Sequence, residues 1–285
     1  MTIKIEPLSD AVGARITGID LRNDMDASAF QTVHKAWLDY QVLVFSGQEL
    51  GEEDQVRFTA HFGELGGRNR KVPTAEGTNV THPGIMLISN IRKDGVPIGS
   101  LPDGEMMFHS DGAYAKRPFR YTLLFALEIP SAGGNTKFAD MYKAYDTLPE
   151  DLKRTLAGYH AEHQYYAGSV DKAKPTASLT GIRQHPLFIA HEETRQTALY
   201  ASRLLTTKIV ELPTDESDEI LEELFDHCER PGLIYEHVWT PGDFVMWDNR
   251  CINHARTDFS EGERRLLRRT TVFGNDPIAA TAQAA

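Results

Sequence analysis

The sequence predicts a β-rich fold of the α+β class, a sandwich or jelly roll with a few added helices. Short apolar or alternating segments recur along most of the chain, turn-forming residues separate them, and helical periodicity is confined to a few stretches. A chain of 285 residues is long for one average domain, but folds of this kind often reach that size as single units. Because no shift in composition marks a boundary, we expect one domain over residues 1–275 and a flexible tail over 276–285.

The N-terminal part of the chain is expected to mix strands and helices. Period-two alternation predicts short strands in "IKIEPL" and "ARITGIDL", and a continuous apolar run predicts a buried strand in "VLVF". Helices are predicted over residues 26–40 and 52–62. A loop over residues 66–85 follows, dense in glycine, proline, asparagine and charge, and a loop of this length is expected to border an active site.

Strands dominate the rest of the chain. They are predicted in "IMLISN", "YTLLFALEI", "NTKFAD", "AEHQYY", "HPLFIAH", "ALYAS", "GLIYEHVW", "DFVMWD" and "RRTTVF". Helices are predicted near residues 141–157 and 216–228, and the polar centre of "HPLFIAHEETRQTALYAS" predicts the turn of a hairpin. Residues 167–183 are small and polar without apolar periodicity, so they form either a lid over the active site or a surface insertion.

The charge and cysteine content of the chain limit its partners and location. A formal net charge of −11 and a pI near 5.5 argue against a surface that binds nucleic acid or an anionic membrane. A bound anion must therefore meet local positive charge, which "RNRK" and "RRLLRR" can supply. Two cysteines cannot form a disulfide framework, and no signal peptide or membrane-length apolar run is recognisable, so we expect free thiols and a cytoplasmic location.

A histidine two positions from a carboxylate occurs four times, and the context of each pair differs. The three weaker pairs are His160 with Glu162, His191 with Glu193, and His227 with Glu229. The first could share a strand face but has no other site residues around it, the second falls at the predicted hairpin turn, and the third points to two sides of a helix. The fourth pair, His109 with Asp111 in "HSDGAY", lies in an extended segment before a glycine turn, so both side chains can point one way.

A third metal ligand is expected in "MWDNRCINHAR", where His254 follows polar residues that a core strand would avoid. Two imidazoles and one carboxylate on one face of a metal ion leave coordination positions open, as non-haem Fe(II) oxygenases require. A structural zinc site would instead be closed by four ligands, usually with cysteine among them. For each histidine taken alone, a satisfied core position is the alternative.

The arginines of "RRLLRRTTVF" precede β-branched and aromatic residues that favour a strand. Alternation along that strand would put Arg265 and Arg269 on one side, near His254, and Arg264 and Arg268 on the other. A planar guanidinium holds a carboxylate or sulfonate through two hydrogen bonds. Two inward guanidinium groups therefore indicate two bound anionic groups.

From about residue 5 to residue 276 the sequence resembles the taurine dioxygenase and chlorophenoxyacetate dioxygenase family of Fe(II)/2-oxoglutarate oxygenases. The resemblance rests on "VLVFSGQEL", "HSD", "GGNTKFADMYKAYDTLP", "HPLFIAHEETRQTALY", "TTKIVEL", "PGDFVMWDNRCINHAR" and "RRLLRRTTVFGNDP" in this order. It implies a double-stranded β-helix, a cupin-like jelly roll flanked by helices. It also implies an enzyme, expected to be a homo-oligomer, that converts 2-oxoglutarate and O2 to succinate and CO2 while it hydroxylates a small anionic substrate.

The resemblance further implies a role for individual residues. His109, Asp111 and His254 would bind Fe(II), Thr136 and Arg265 would bind the distal carboxylate of 2-oxoglutarate, and Arg269 would lie by the anionic group of the primary substrate and near the cosubstrate.

Departures from the taurine branch of the family bear on the substrate. Glu105 stands where that branch has an asparagine, and its carboxylate would repel a sulfonate. Lys71 in "RKVP" and the segment "LISN", which ends at Asn90, look closer to the chlorophenoxyacetate branch. We therefore expect a carboxylate such as an aryloxyalkanoate, cleaved at a C–O bond after hydroxylation and contacted by Arg269, Lys71, Glu105 and Asn90. A sulfonate or an alkyl sulfate is the alternative within the family.

Two alternatives come from other functional classes. A jelly roll whose triad holds Zn2+ or Mn2+ could act as a hydrolase or isomerase, but Thr136 and Arg265 would then have no task. A non-catalytic ligand-binding module would leave the whole triad unexplained.

Overall fold

The computed structural model describes residues 2–67, 82–100, 106–165 and 181–280. The helices are α1 Ala27–Tyr40, α2 Glu52–Ala60, α3 Met141–Asp146, α4 Glu150–Leu156 and α5 Thr214–Cys228. The strands are β1 Lys4–Pro7, β2 Ala14–Thr17, β3 Val42–Phe45, β4 Met86–Ser89, β5 Arg92–Lys93, β6 Val96–Pro97, β7 Met106–His109, β8 Phe119–Glu128, β9 Thr136–Asp140, β10 His160–Gln164, β11 Ile182–Pro186, β12 Phe188–Ala190, β13 Thr197–Leu199, β14 Thr206–Ile209, β15 Ile234–His237, β16 Phe244–Asp248, β17 Ile252–Arg256 and β18 Leu266–Phe273. These elements confirm the predicted β-rich α+β class.

Two sheets form the centre of the molecule. A seven-stranded sheet has the order β1-β2-β3-β16-β8-β18-β4, and a four-stranded sheet has the order β15-β9-β17-β7. One apolar core contains side chains from both sheets, and within it the rings of Phe138 on β9 and Trp247 on β16 have centroids 5.3 Å apart. The two sheets therefore pack face to face, with their inward side chains between them.

The opposite face of the seven-stranded sheet packs against the N-terminal helices. Alternation along β3 sends Val42 and Val44 into the core between the sheets and Leu43 and Phe45 into the core under α1 and α2. This double burial explains why "VLVF" is apolar at every position. Helix α1 begins where the Asp26 side chain accepts a hydrogen bond from the Ala29 N–H, 2.8 Å long.

Some helix boundaries differ from the prediction, and the helix predicted near residues 216–228 begins at Thr214. The predicted helix over residues 52–62 ends at Ala60. The single helix predicted near residues 141–157 is two helices, α3 and α4, because Pro149 precedes Glu150 and a residue before proline is disfavoured in helical geometry. The hairpin in "HPLFIAHEETRQTALYAS" is confirmed as β12 and β13, which pair antiparallel.

The start of the predicted tail lies against this hairpin. The Ala190 N–H donates to the Ile278 carbonyl at 2.8 Å, and the Ala280 N–H donates to the Phe188 carbonyl at 3.0 Å. Residues 278–280, within the predicted tail of residues 276–285, thus extend the hairpin as a third strand-like segment.

Three further expectations concern the two cysteines, membrane-spanning helices and the predicted loops. Cys228 and Cys251 are both buried free thiols, as predicted. Within the ranges that the structure describes, no helix is long and apolar enough to cross a membrane. Most of the two predicted active-site loops, residues 68–81 of 66–85 and 167–180 of 167–183, lies outside the described residues.

Candidate active site

Neighbouring strands bring the predicted triad together. His109 is the last residue of β7 and His254 lies in β17, and the antiparallel register places the two residues directly opposite each other. Their ring centroids are 4.1 Å apart. Asp111 follows two residues after β7, with Oδ1 3.8 Å from Nε2 of His109 and Oδ2 4.0 Å from Nε2 of His254. One donor atom from each residue therefore lies close enough to the others to share a metal ion.

A glycine makes the turn after Asp111 possible. Gly112 has φ +77°, a left-handed conformation that side chains rarely adopt, and a Cβ there would lie 3.1 Å from the Phe119 amide nitrogen. The turn returns the chain to β8 and leaves the Asp111 carboxylate facing the two histidines. The glycine of "HSDGAY" is thus part of the site's geometry.

The protonation states of the triad suit metal binding. Burial lowers the pKa of His109 and lowers that of His254 to about 3, so both rings are neutral near pH 7. His109 Nδ1 lies 3.0 Å from the Met107 carbonyl oxygen, which can only accept, so Nε2 carries the lone pair that faces Asp111. Burial by itself would raise the pKa of Asp111, but the charge of Arg269 and a hydrogen bond from Thr122 lower it overall.

These residues fit Fe(II). Two neutral imidazole nitrogens and one carboxylate oxygen are the donor set of a non-haem iron site with open positions. No described cysteine belongs to this cluster, which argues against a closed structural zinc site.

A cavity of about 160 Å³ opens beside the triad between the two sheets. Its described lining is apolar apart from the triad, one serine, one threonine, three arginines and the polar atoms of two tyrosines and one tryptophan. The lining residues are Met86, Ile88, Ser100, Met106, His109, Asp111, Gly112, Tyr114, Phe119, Leu124, Thr136, Tyr165, Leu204, Leu205, Trp247, His254, Ala255, Arg256, Arg265 and Arg269. An apolar cavity with a few convergent charged groups is the usual form of a small-molecule site.

The predicted cosubstrate residues lie at this cavity. Thr136 begins β9, and its Oγ1 accepts a hydrogen bond of 2.9 Å from Nε1 of Trp239. Arg265 is 1% exposed, and its Nε donates to the Gly134 carbonyl at 3.3 Å. Burial and then the neighbouring charge of Arg256 lower the pKa of Arg265 to about 9, so a bound anion would relieve a real electrostatic cost.

Arg269 also faces the cavity, four residues after Arg265. Its Nη1 is 3.5 Å from Oδ1 of Asp111, which places a positive charge next to the predicted triad. Arg264 is exposed and pairs with Glu128 at 2.7 Å, and Arg268 contacts the ring of Phe125 under α2. The predicted division of the four arginines between two sides of the strand is confirmed.

The other predicted substrate residues are Lys71, Glu105 and Asn90. Lys71 and Glu105 lie outside the described residues. Asn90 is not among the described lining residues. Its side-chain amide instead donates a hydrogen bond of 2.8 Å to the Glu263 carbonyl and accepts one of 2.9 Å from the Arg265 N–H. This side chain holds the backbone that carries Arg265, and a substrate contact from Asn90 stays a prediction.

The three weaker histidine pairs have other partners. His160 Nδ1 lies 2.8 Å from Glu211, and His227 Nε2 lies 2.9 Å from the Ala144 carbonyl. His191 belongs to a buried cluster with Asp248 and Cys251. Its Nδ1 accepts two backbone N–H groups and its Nε2 is 3.1 Å from Asp248, so the cluster is a satisfied hydrogen-bond network that braces the turn after β16.

Several residues around the site were not found from the sequence. Thr122, Trp239, Asn249 and Arg256 were missed. A polar residue inside the apolar strand "YTLLFALEI" was the available signal for Thr122, and the polar run "WDNR" was the signal for Asn249. Trp239 and Arg256 carry no local signal, because an indole or a guanidinium near a strand end is common.

Comparison with known proteins identifies the family. The family model described as "Taurine catabolism dioxygenase TauD, TfdA family" matches residues 4–271. The chain therefore belongs to this family of dioxygenases. It is accordingly a 2-oxoglutarate-dependent dioxygenase that uses Fe(II).

Individual relatives cover nearly the whole chain. Pentalenolactone F synthase of Streptomyces avermitilis is 35% identical over 94% of this chain and 92% of its own length. An (S)-phenoxypropionate/alpha-ketoglutarate-dioxygenase of Sphingobium herbicidovorans is 33% identical over 98% of each chain. The crystal structure of AAD-2 with Mn(II) and N-oxalylglycine is 29% identical with a TM-score of 0.80, over 97% of this chain and 99% of that one.

Proposed function

We propose that this dioxygenase hydroxylates a small organic carboxylate such as an aryloxyalkanoate. The substrate C–H becomes C–OH while 2-oxoglutarate and O2 become succinate and CO2. Where the hydroxylated carbon also carries the ether oxygen, the product is a hemiacetal that releases a phenol and a carbonyl compound. The observation that carries the proposal is Arg269, whose guanidinium faces the cavity 3.5 Å from the carboxylate of the triad.

His109, Asp111 and His254 would hold the iron through two imidazole nitrogens and one carboxylate oxygen. When bound there, Fe(II) supplies the activation of O2 in the presence of 2-oxoglutarate. The strands that carry the two histidines place them directly opposite each other.

Thr136 and Arg265 would bind the distal carboxylate of 2-oxoglutarate. Because Trp239 is a donor only, Thr136 Oγ1 accepts its hydrogen bond and keeps its own proton for the cosubstrate. Arg265 is buried and anchored through Nε to Gly134, so its fork is held at one end of the cavity.

Arg269 would hold the anionic group of the primary substrate, and the apolar wall would receive the rest of the molecule. Met86, Ile88, Leu204 and Leu205 lie in that wall. Apolar side chains exclude water and position the reacting C–H, which contributes to rate by fixing orientation. A guanidinium would also bind a sulfonate or sulfate ester, so these remain the alternative substrates.

We also propose that the two facing sheets form the double-stranded β-helix, within one domain over residues 1–275. The alternation of β7, β8 and β9, and again of β16, β17 and β18, between the four-stranded and seven-stranded sheets supports this arrangement. The homo-oligomeric state and the cytoplasmic location stay predictions.

Two measurements test the proposed function. Anaerobic addition of Fe(II) and 2-oxoglutarate to the protein is expected to produce a weak visible charge-transfer band. Air with each member of a panel of aryloxyalkanoates, alkylsulfonates and alkyl sulfates is then expected to yield succinate in step with substrate consumption, most with a carboxylate. A preference for sulfonates or sulfate esters would overturn the carboxylate assignment, and the absence of both band and succinate would favour a redox-inactive metal site.

A further inference from the structure

We infer that Thr122 and Asn249 are positioning residues that fix the Asp111 carboxylate so that one chosen oxygen faces the metal. Thr122 lies in β8 and Asn249 follows β16, and both side chains are buried. The Thr122 hydroxyl is 2.7 Å from Oδ2 of Asp111, and Nδ2 of Asn249 is 2.9 Å from the Thr122 hydroxyl oxygen. The inference rests on the proposed role of Asp111 as an iron ligand.

The direction of each hydrogen bond in this chain of contacts is determined by its partners. The indole N–H of Trp247 can only donate, and it lies 3.0 Å from Oδ1 of Asn249. The backbone N–H of Asp111 donates to the same oxygen at 3.3 Å. The Asn249 amide must then present its NH2 group to Thr122, whose oxygen accepts and whose proton is left for the Asp111 carboxylate.

This arrangement makes the two oxygens of Asp111 inequivalent. Oδ2 accepts the hydrogen bond of the Thr122 hydroxyl and lies 4.0 Å from His254 Nε2, whereas Oδ1 lies 3.8 Å from His109 Nε2 and 3.5 Å from Nη1 of Arg269. A metal ion would therefore be coordinated by a single carboxylate oxygen, Oδ1, in a fixed orientation. Hydrogen bonds to ligating carboxylates commonly set their orientation and the affinity of the metal.

Asn249 also fixes the main chain that carries the ligands. The Ser110 hydroxyl donates to the Asn249 carbonyl at 2.7 Å. Asn249, the first residue after β16, thus holds both Ser110 and Asp111, which lie 139 and 138 positions away from it in the chain. Through these hydrogen bonds, the turn after β16 stabilises the turn after β7 that carries Asp111.

The test is the affinity of the metal-free protein for Mn(II), measured from the electron paramagnetic resonance signal of unbound Mn(II), without 2-oxoglutarate or turnover. Thr122→Val keeps the shape and the strand preference but removes the hydroxyl, and it is expected to weaken Mn(II) binding by roughly 10- to 100-fold. Thr122→Ser restores the hydroxyl and is expected to return the affinity close to the wild-type value. If the valine variant does not reach the wild-type circular dichroism, Thr122→Ala removes the same hydroxyl.

Thr270→Val is the matched control. Thr270 is a buried threonine of β18 whose hydroxyl contacts Gln55 and Thr59 in the other core, so its loss is expected to lower the melting temperature without changing Mn(II) affinity. The role of Asn249 is measured in a double-mutant cycle, in which Asn249→Ser should weaken binding less in the Thr122→Val protein than in the wild type.

The outcomes are distinct. Wild-type Mn(II) affinity in the variants without the Thr122 hydroxyl would overturn the inference. Full additivity of the Thr122 and Asn249 substitutions would overturn the part that concerns Asn249. A wild-type protein that binds no Mn(II) would instead defeat the proposed metal site itself.

Discussion

At the scale of single residues, the site depends on side chains whose hydrogen bonds fix the direction in which a neighbouring group donates its own proton. Trp239 and Thr136 are one such pair, since the indole N–H occupies the threonine oxygen and leaves the threonine proton for an anion. The sequence predicted Thr136 but could not indicate Trp239, because the two residues are 103 positions apart and meet only when β9 and the end of β15 are adjacent.

Replacing Trp239 by phenylalanine is expected to weaken 2-oxoglutarate binding by roughly two- to tenfold, the usual effect of one lost hydrogen bond. The measurement is an anaerobic titration of the visible band with 2-oxoglutarate at saturating Fe(II). If Trp239 acts through the threonine, the substitution should have little effect in a Thr136→Val protein. An equal effect in both backgrounds would contradict this role.

The two cavity arginines are expected to act on different ligands. Arg265→Ala should raise the KM for 2-oxoglutarate far more than the KM for the primary substrate, and Arg269→Ala should do the reverse, because each guanidinium is assigned to a different anion. Steady-state kinetics with each ligand varied in turn measures the split. Arg264→Ala, at the exposed pair with Glu128, is the control and should change neither KM. Equal effects of the two cavity variants would argue against separate assignments.

At the scale of elements, the turn between β16 and β17 is held by a network of charged groups that reaches α1. Asp248 contacts His191 at 3.1 Å and Arg250 at 2.6 Å, and Arg250 in turn contacts Glu193 at 3.2 Å. Glu193 also contacts His34 of α1 at 3.0 Å. Since Asn249 sits within this turn, the network supports the residues that hold the metal ligand.

The network predicts a loss of stability in acid. The hydrogen bond with His34, and then the charges of Arg120 and Arg250, outweigh burial and lower the pKa of Glu193. A carboxylate with a lowered folded pKa stabilises the protein fully above its unfolded pKa of about 4.3, and this contribution is lost as pH falls toward the folded pKa. Glu193→Gln should therefore lower the melting temperature at pH 7, and its difference from the wild type should shrink below about pH 4.

Melting temperatures of both proteins across this pH range measure the effect. Glu219→Gln, on the exposed face of α5, is the control and should melt like the wild type throughout. A difference between the Glu193 variant and the wild type that does not change with pH would mean that the ionised carboxylate is not the source.

At the scale of the whole molecule, the active site lies between two sheets and takes residues from both. His109, Thr136 and His254 come from the four-stranded sheet, and Arg269 comes from the seven-stranded sheet. A cosubstrate that contacts the metal, Thr136 and Arg265 at once would join the two sheets. Ligand binding should consequently stabilise the whole fold rather than one sheet.

Mn(II) and 2-oxoglutarate together are expected to raise the melting temperature by more than the sum of their separate effects. At ligand concentrations of about 100 times Kd, binding adds roughly 2.7 kcal/mol to the free energy of unfolding. Differential scanning calorimetry under anaerobic conditions measures the shift. Asp111→Ala should remove the metal contribution and most of the joint effect, and full stabilisation by 2-oxoglutarate without metal would contradict a shared site.

Much of the fold and of the site followed from local patterns. A continuous apolar run predicted the strand in "VLVF" correctly, and β-branched and aromatic residues predicted the strand in "RRTTVF". The helical segment predicted near residues 141–157 is two helices because one proline divides it, and the Asn90 amide binds the backbone beside Arg265, a contact that no local pattern indicated.

The sequence by itself determined the residue types at the site, namely two histidines and one aspartate that suit iron and two arginines spaced to share a strand face. Only the tertiary structure decided that His109 lies directly opposite His254, that Thr122 and Asn249 hold Asp111, and that Trp239 directs the Thr136 proton. The physical reason is that these contacts join residues brought together by sheet register and by the packing of one sheet on another. Register depends on the alignment of whole strands, which no short stretch of sequence encodes.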